Sequence, residues 1–164
     1  MFRVGILTVS DKGYRGERKD TAHLAIREAL KGGPYEVVAY EIVPDEPPMI
    51  KRVLRLWADR EGLDLILTCG GTGLGPRDRT PEATREVLER EAPGLPELMR
   101  LKGLEKTPMA ALSRGVAGVR GKALIVNLPG SPKGARESLE ALLPVLPHAL
   151  SLVTGKAWPE GAHG

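Results

Sequence analysis

Three runs in this chain are apolar at nearly every position and shorter than a stable helix: residues 3–9 (RVGILTV), 63–67 (LDLIL) and 123–128 (ALIVNL). A strand with one wet face alternates apolar and polar residues, whereas a near-continuous run is covered on both faces. Residues 35–43 (YEVVAYEIV) add a further strand. Between these runs the period changes to that of a helix. Ala22, Ala25, Ile26, Ala29 and Leu30 recur on one face, as do Ile50, Val53, Leu54 and Trp57. Buried strands alternating with amphipathic helices predict an α/β fold, a three-layer α/β/α sandwich around a mostly parallel, Rossmann-like sheet. Asp20 is placed to cap the first helix, and Gly32-Gly33-Pro34 to stop it. A short helix is expected near residues 97–101. A last helix carries Ala135, Leu139, Leu142, Leu143, Leu146, Leu150 and Val153, with Pro144 and Pro147 kinking or splitting it. Residues 1–155 form one expected domain, and 156–164 a loose Gly- and Pro-rich tail.

The stretch 63–83 (LDLILTCGGTGLGPRDRTPEA) has chemical content as well. After the apolar run, Gly70, Gly71 and Gly73 let the backbone turn and approach something bulky. Thr80, Pro81 and Glu82 then supply a cap residue, an N1 proline and a first-turn acid. A strand, a glycine loop and a helix N-terminus make an anion site, because free N–H groups and the helix dipole point the same way. Asp78 among such groups calls for a cation between it and an anion, which makes it a candidate magnesium ligand. Named nucleotide motifs do not fit. A P-loop would end in Gly-Lys-Ser/Thr, and Gly75 is followed by Pro76 and Arg77; a dinucleotide fingerprint starting at Gly71 would need glycine where Pro76 stands. Taken alone, the loop is equally an unliganded strand-to-helix turn.

Neighbouring strand ends weigh against that. All strands of a parallel sheet end on one edge, and ligands bind in the crevice there. The polar residues that follow the strands are Ser10 and Asp11, Asp45, the loop from Gly70 to Asp78, and Pro129, Gly130, Ser131 and Lys133. Each set is ordinary turn chemistry by itself. Together, with Arg15, Arg18 and Lys19 close by in sequence, they predict one shared site for an anionic ligand.

Composition excludes several classes. A net charge of +3 and 4% aromatic residues argue against a dedicated nucleic-acid binder. Cys69 is the single cysteine, so no intrachain disulfide forms, and it ends an apolar strand as a small buried hydrophobe. His23, His148 and His163 have no metal-ligand spacing. Neither a signal-peptide core nor a bilayer-spanning run is visible, so the expected location is cytoplasmic, with no membrane partner. The chain has no Gln, and Asn127 is its single Asn, while Arg, Glu and Pro are abundant. That balance predicts a heat-adapted protein, with a calorimetric melting midpoint above the mesophile range of about 45–65 °C.

Five segments carry a resemblance to a known family. They are LTVSD (7–11), VPDE (43–46), GGTGLGPRDRTPEAT (70–84), TPMAALSR with AGVRG (107–121), and LIVNLPGSPKG (124–134). In this order they resemble the MoaB/Mog family of molybdenum-cofactor biosynthesis proteins over nearly the whole chain; the loop 12–19 is shorter and more basic than the family's. The resemblance implies a molybdenum-cofactor-binding fold and molybdopterin adenylyltransferase activity, with ATP and molybdopterin as substrates and Mg²⁺ as cofactor. It implies that Asp45 and Asp78 are the catalytic, metal-holding pair. Ser10, Asp11, Gly70, Gly71, Thr72, Gly73, Thr80, Ser113, Arg114, Pro129, Gly130, Ser131 and Lys133 are then the expected substrate-binding residues. Ser131 reads equally as a helix cap, Lys133 as a solvated cation, and Ser113 with Arg114 as a capped turn. A homotrimer is implied, with the molybdate-insertion enzyme as a possible downstream partner. Three alternatives accompany this reading. One is a non-catalytic molybdopterin-binding or scaffolding paralogue. Another is a molybdate-insertion enzyme, whose large extra domains 164 residues do not accommodate. The last is a nucleotide-dependent enzyme for another phosphorylated metabolite.

Overall fold

The computed structural model describes residues 1–157; His163 and most of the expected tail, 158–164, lie outside the described residues. The elements in chain order are β1 (Phe2–Val9), α1 (Asp11–Tyr14), α2 (Ala22–Leu30), β2 (Tyr35–Val43), α3 (Pro47–Arg55), β3 (Leu65–Cys69), α4 (Thr80–Val87), β4 (Arg90–Glu91), α5 (Gly94–Leu104), β5 (Ala117–Arg120), β6 (Ala123–Leu128), α6 (Pro132–Leu142) and α7 (Leu146–Thr154). A π-helical turn, Leu56–Arg60, continues α3, and a 3₁₀ turn, Pro108–Leu112, follows α5.

The strands form one sheet in the order β2-β1-β3-β6-β5-β4. The first four are parallel; β5 runs antiparallel to β6, to which a tight turn joins it, and the edge strand β4 pairs antiparallel with β5. That edge was not predicted. Arg90–Glu91 is exposed and too short for any periodicity, and its pairing with Gly118 and Val119 comes from a partner distant in sequence.

Alternation within the buried strands sorts the core into two layers. Phe2, Val4 and Ile6 of β1, Leu65 and Leu67 of β3, and Leu124, Val126 and Leu128 of β6 pack against α2, α5, α6 and α7. Leu7, Val9, Ile66 and Ile125 face the other way, onto Ile50, Val53, Leu54 and Trp57 from α3 and Ala83 and Val87 from α4. Each fully buried Leu or Ile contributes about 1.5–3 kcal/mol relative to exposure, so both faces must be covered, and a three-layer sandwich results.

Three local expectations are resolved. Pro144 and Pro147 split the last helix into α6 and α7, the second of the two expected outcomes. Residue 156 is not loose: Lys156 Nζ binds Asp64, a carboxylate buried beneath the β1 entry, and Lys156 N–H donates to Thr154 Oγ1 at 3.0 Å. Thr21 holds the N-cap position of α2 without a side-chain bond, while Asp20 Oδ1 accepts from the His23 N–H of the first turn at 3.4 Å and Oδ2 from the Thr8 hydroxyl of β1.

Parallel strands and the chain's reversal at β1 position the site. From β1 the chain first moves outward to β2, then returns to β3 on the other side of β1. The connections after β1 and β3 therefore diverge, and a crevice opens above their carboxyl ends.

Candidate active site

Among the described residues, two of the clefts along this edge take most of the expected site residues. One, of about 560 Å³, sits at the switch point, lined by Ser10 after β1, Asp45 after β2, Cys69, Gly70 and Gly71 after β3, and Gly130 and Ser131 after β6. Asp78, Asp20, Arg18 and Lys19 complete its rim. The other cleft, of about 340 Å³, lies between the glycine loop and the α5 region. Thr72, Gly73, Ser113, Pro129 and Ser131 share it with Pro96, Met99 and Met109, and Arg100, Lys102 and Lys106 are its nearby cations. Ser131 lines both clefts, and the Gly70–Gly73 loop is the wall between them.

The glycine loop holds its path by steric necessity. Gly70 has φ +104°, and a Cβ there would lie 2.2 Å from the Val9 carbonyl oxygen. Gly71 has φ +68°, and its missing Cβ leaves space that Thr80 Oγ1 and Asp45 Oδ1 approach, at 2.2 and 3.2 Å from where that Cβ would sit. Thr80 is fully buried, and its hydroxyl has no hydrogen-bond partner among the described residues. Thr80 is also the first residue of α4 and not its cap, which falls to Arg79 without a side-chain bond.

Asp45 and Asp78 reach the same cleft from different elements. Asp45 is tied to the β1 end by a reciprocal pair: Asp11 N–H donates to Asp45 Oδ2 and Asp45 N–H to Asp11 Oδ1, both at 2.9 Å. Asp78 Oδ2 accepts from Gly75 N–H at 2.9 Å, closing the turn before α4. Oδ1 of each carboxylate has no donor among the described residues. Burial, joined by the negative charges of Asp11 and Asp78, raises the Asp45 carboxyl pKa above its ordinary value despite the Asp11 N–H. Asp11 goes the other way, because Arg77 donates to both of its oxygens, at 3.1 and 3.0 Å. Arg77 also holds Glu46 at 2.9 Å, so one guanidinium staples the β1, β2 and β3 loops.

Among the described residues no group of three or more His, Cys, Asp or Glu side chains surrounds a point as a metal cage would. The pair nevertheless fits Mg²⁺. That ion keeps most of its waters and is held by one or two carboxylates together with substrate phosphates. Two carboxylates with a free oxygen each, beside an excess of negative charge, are such a donor set.

The other expected residues divide between the clefts and their supports. Ser131 caps α6, its Oγ accepting from Gly134 N–H at 3.0 Å, so the cap reading holds while the residue also borders both clefts. Ser10 likewise caps α1. Lys133 is exposed and lines neither cleft. Arg114 is committed to protein. Its guanidinium donates to the Gly73 carbonyl and the Asp78 carbonyl, each at 2.8 Å, and pairs with Glu82. Its own N–H donates to the Thr72 carbonyl at 2.8 Å. It therefore braces the glycine loop from behind.

Sequence reasoning passed over Arg77, Asp20 and Asn127. Asp20 Oδ2 accepts from the Thr8 hydroxyl at 2.6 Å and from Tyr40 Oη. Asn127 is buried and joins Thr68, Thr84 and the Val116 N–H through bonds of 2.9, 3.0 and 3.1 Å, fixing β6 to α4 and to the Ser113 segment. A single Asn inside an apolar run was the available signal, since a buried amide must find several partners.

Comparison with known proteins agrees with this geometry. Residues 5–148 match the family model described as a probable molybdopterin binding domain. A molybdopterin adenylyltransferase from Helicobacter pylori strain J99 is 44% identical over 94% of this chain and 89% of its own length. The Drosophila melanogaster molybdenum cofactor synthesis protein cinnamon is 46% identical over 91% of this chain, which spans only 25% of that protein. Among solved structures, the molybdopterin biosynthesis enzyme MoaB from Thermus thermophilus superposes with a TM-score of 0.94. It is 86% identical, over 97% of this chain and 100% of that one.

Proposed function

The chain belongs to the MoaB/Mog family of molybdenum-cofactor biosynthesis proteins, and on that premise we propose that it adenylylates molybdopterin. A terminal phosphate oxygen of molybdopterin attacks the α-phosphorus of ATP. The new O–P bond forms as the bond to the β-phosphate breaks, and pyrophosphate leaves with the electron pair. The observation that carries this reading is the convergence of Asp45 and Asp78 on the switch-point cleft, beside the glycine loop that separates it from the second cleft. Transfer of this kind needs in-line positioning and charge neutralisation more than a covalent nucleophile.

The smaller cleft suits molybdopterin. Its Pro96, Met99 and Met109 surfaces accept a flat heterocycle, with Arg100 and Lys106 near the phosphate. The switch-point cleft suits the nucleotide, because the N-termini of α2 and α6 open onto it beside the Gly70 and Gly71 backbone. Asp45 and Asp78 would hold Mg²⁺ there, which when bound neutralises the phosphates. Arg77 and Arg114 touch neither substrate on this reading; they keep Asp45 and the glycine loop at fixed separation.

Incubation with ATP, Mg²⁺ and molybdopterin, followed by mass detection of the adenylylated pterin, tests the proposal. Intact pterin binding without product would leave the non-catalytic scaffold instead. Arg114→Ala should lower kcat by about 10–100-fold while stability falls by about 1–2 kcal/mol, since its carbonyl contacts hold a loop and not a substrate. An unchanged kcat in that variant would mean that the brace has no catalytic consequence. A homotrimer and delivery to a molybdate-insertion enzyme belong to the same proposal. A monomer in analytical ultracentrifugation would remove the first. Among the described residues no helix is long and apolar enough to cross a membrane.

A further inference from the structure

Resting on the adenylyltransferase reading, we propose that Arg18 and Lys19 form the subsite for the β- and γ-phosphates of the nucleotide and for pyrophosphate as it departs. Both line the switch-point cleft, and they are its only cationic side chains among the described residues. The same cleft carries the carboxylates of Asp20, Asp45 and Asp78. A polyphosphate entering it meets three negative groups, and the metal between Asp45 and Asp78 would serve only the phosphates beside it.

Arg18 and Lys19 are also uncommitted. Three arginines around the site are spoken for: Arg15 pairs with Glu17, Arg77 with Asp11 and Glu46, and Arg114 with Glu82. No ion pair or hydrogen bond from the Arg18 or Lys19 side chain exists among the described residues. Their loop is nevertheless anchored at both ends. Glu17 N–H donates to the Lys12 carbonyl at 2.9 Å. On the far side Asp20 is clamped by Thr8 at the end of β1 and by Tyr40 of β2, with His23 stacked on the Tyr40 ring at 4.2 Å. Two free cations on a clamped loop, facing a cleft of net negative charge, are pre-organised for an anion of higher charge. As the bond to the α-phosphorus breaks, charge moves onto pyrophosphate. A guanidinium fork and an ammonium match that change without any proton transfer.

The test is the double variant Arg18→Ala/Lys19→Ala, titrated calorimetrically with ATP, inorganic pyrophosphate and AMP, each with Mg²⁺. Loss of roughly tenfold per contact raises the ATP and pyrophosphate Kd about 100-fold, while AMP, which lacks the distal phosphates, changes by less than about twofold. Arg18→Lys should bind pyrophosphate with an affinity between those of the parent and the double variant, because the charge is kept while the guanidinium fork is lost. Unchanged ATP and pyrophosphate affinities, or equal losses for all three ligands, would overturn the subsite. The outcome is separable from the adenylyltransferase reading. A variant that still makes adenylylated pterin with an unaltered KM for ATP refutes the subsite and keeps the reading. Selective loss of pyrophosphate binding in a protein that never adenylylates molybdopterin keeps the subsite and refutes the reading.

Discussion

Asp45→Asn and Asp78→Asn should each lower kcat/KM for adenylylation by about 10³-fold or more, which corresponds to about 4 kcal/mol of transition-state stabilisation. Their stabilities should diverge from their activities. Asp45 is half-buried and its folded-state pKa is raised, chiefly by burial and next by the charges of Asp11 and Asp78, against the Asp11 N–H. The folded protein therefore binds that proton more tightly than the unfolded chain. Stability contributed by the protonated form is full below the ordinary value of 3.8 and is lost as pH rises through the folded value. At neutral pH without divalent cations, Asp45→Asn removes this unfavourable charge and should raise the melting midpoint; the gain should vanish in acid. Asp11 carries the opposite sign. Its pKa is lowered by Arg77, so its contribution exists above 3.8 and disappears as pH falls through the depressed value. A chemically inactive yet more stable Asp45→Asn protein is the signature of a carboxylate kept for function. An Asp45→Asn protein with near-normal turnover would remove Asp45 from the proposed metal pair, and the same result with Asp78→Asn would remove Asp78.

Gly70→Ala is expected to have the largest effect on the fold itself. A Cβ at that position would lie 2.2 Å from the Val9 carbonyl oxygen, which is β1 backbone and cannot rotate away, and the backbone stands at φ +104°. Strain and overpacking together should destabilise the protein by about 3–5 kcal/mol, a fall in melting midpoint of very roughly 6–20 °C at this size. Gly71→Ala makes an informative contrast. Its Cβ would meet Thr80 Oγ1, a side-chain atom, so the helix start can give where a strand cannot. Smaller thermal loss with a large drop in activity is expected there, because the displaced Thr80 and Asp45 border the cleft. Differential scanning calorimetry on both variants checks the order; a milder Gly70→Ala would mean that the β1–β3 edge yields more readily than its packing implies.

Much of the site was legible because of where parallel strands end. Ser10, Asp45, Gly70 and Ser131 follow four different strands, and any parallel sheet brings such positions to one edge. The residues that were missed act through contacts that sequence does not order. Arg77 lies next to Asp78, yet its guanidinium serves Asp11, 66 positions away. Arg114 has the sequence setting of a ligand-binding arginine, and its guanidinium is engaged by Glu82 and by two backbone carbonyls, the latter carrying no sequence signature. Asp20 has the spacing of a cap and accepts from His23 N–H at 3.4 Å, but its shorter bonds go to the Thr8 and Tyr40 hydroxyls, which linear spacing does not reveal.

Apolar periodicity in the chain is enough for the buried strands, the amphipathic helices and therefore the three-layer sandwich, because it leaves each segment one way to cover its surface. The chain also determines that Asp45 and the Gly70–Asp78 loop share an edge, and its motifs carry the family. The division of that edge into clefts with the glycine loop as a wall emerges in three dimensions. So do the lack of side-chain partners for Arg18 and Lys19 among the described residues, where Arg15 and Arg77 pair, and the antiparallel closure of the sheet by β5 and β4. Those outcomes depend on distances between residues far apart in the chain. Hydrogen bonds and charges act over a few ångströms of space, and linear spacing does not encode which distant groups come that close.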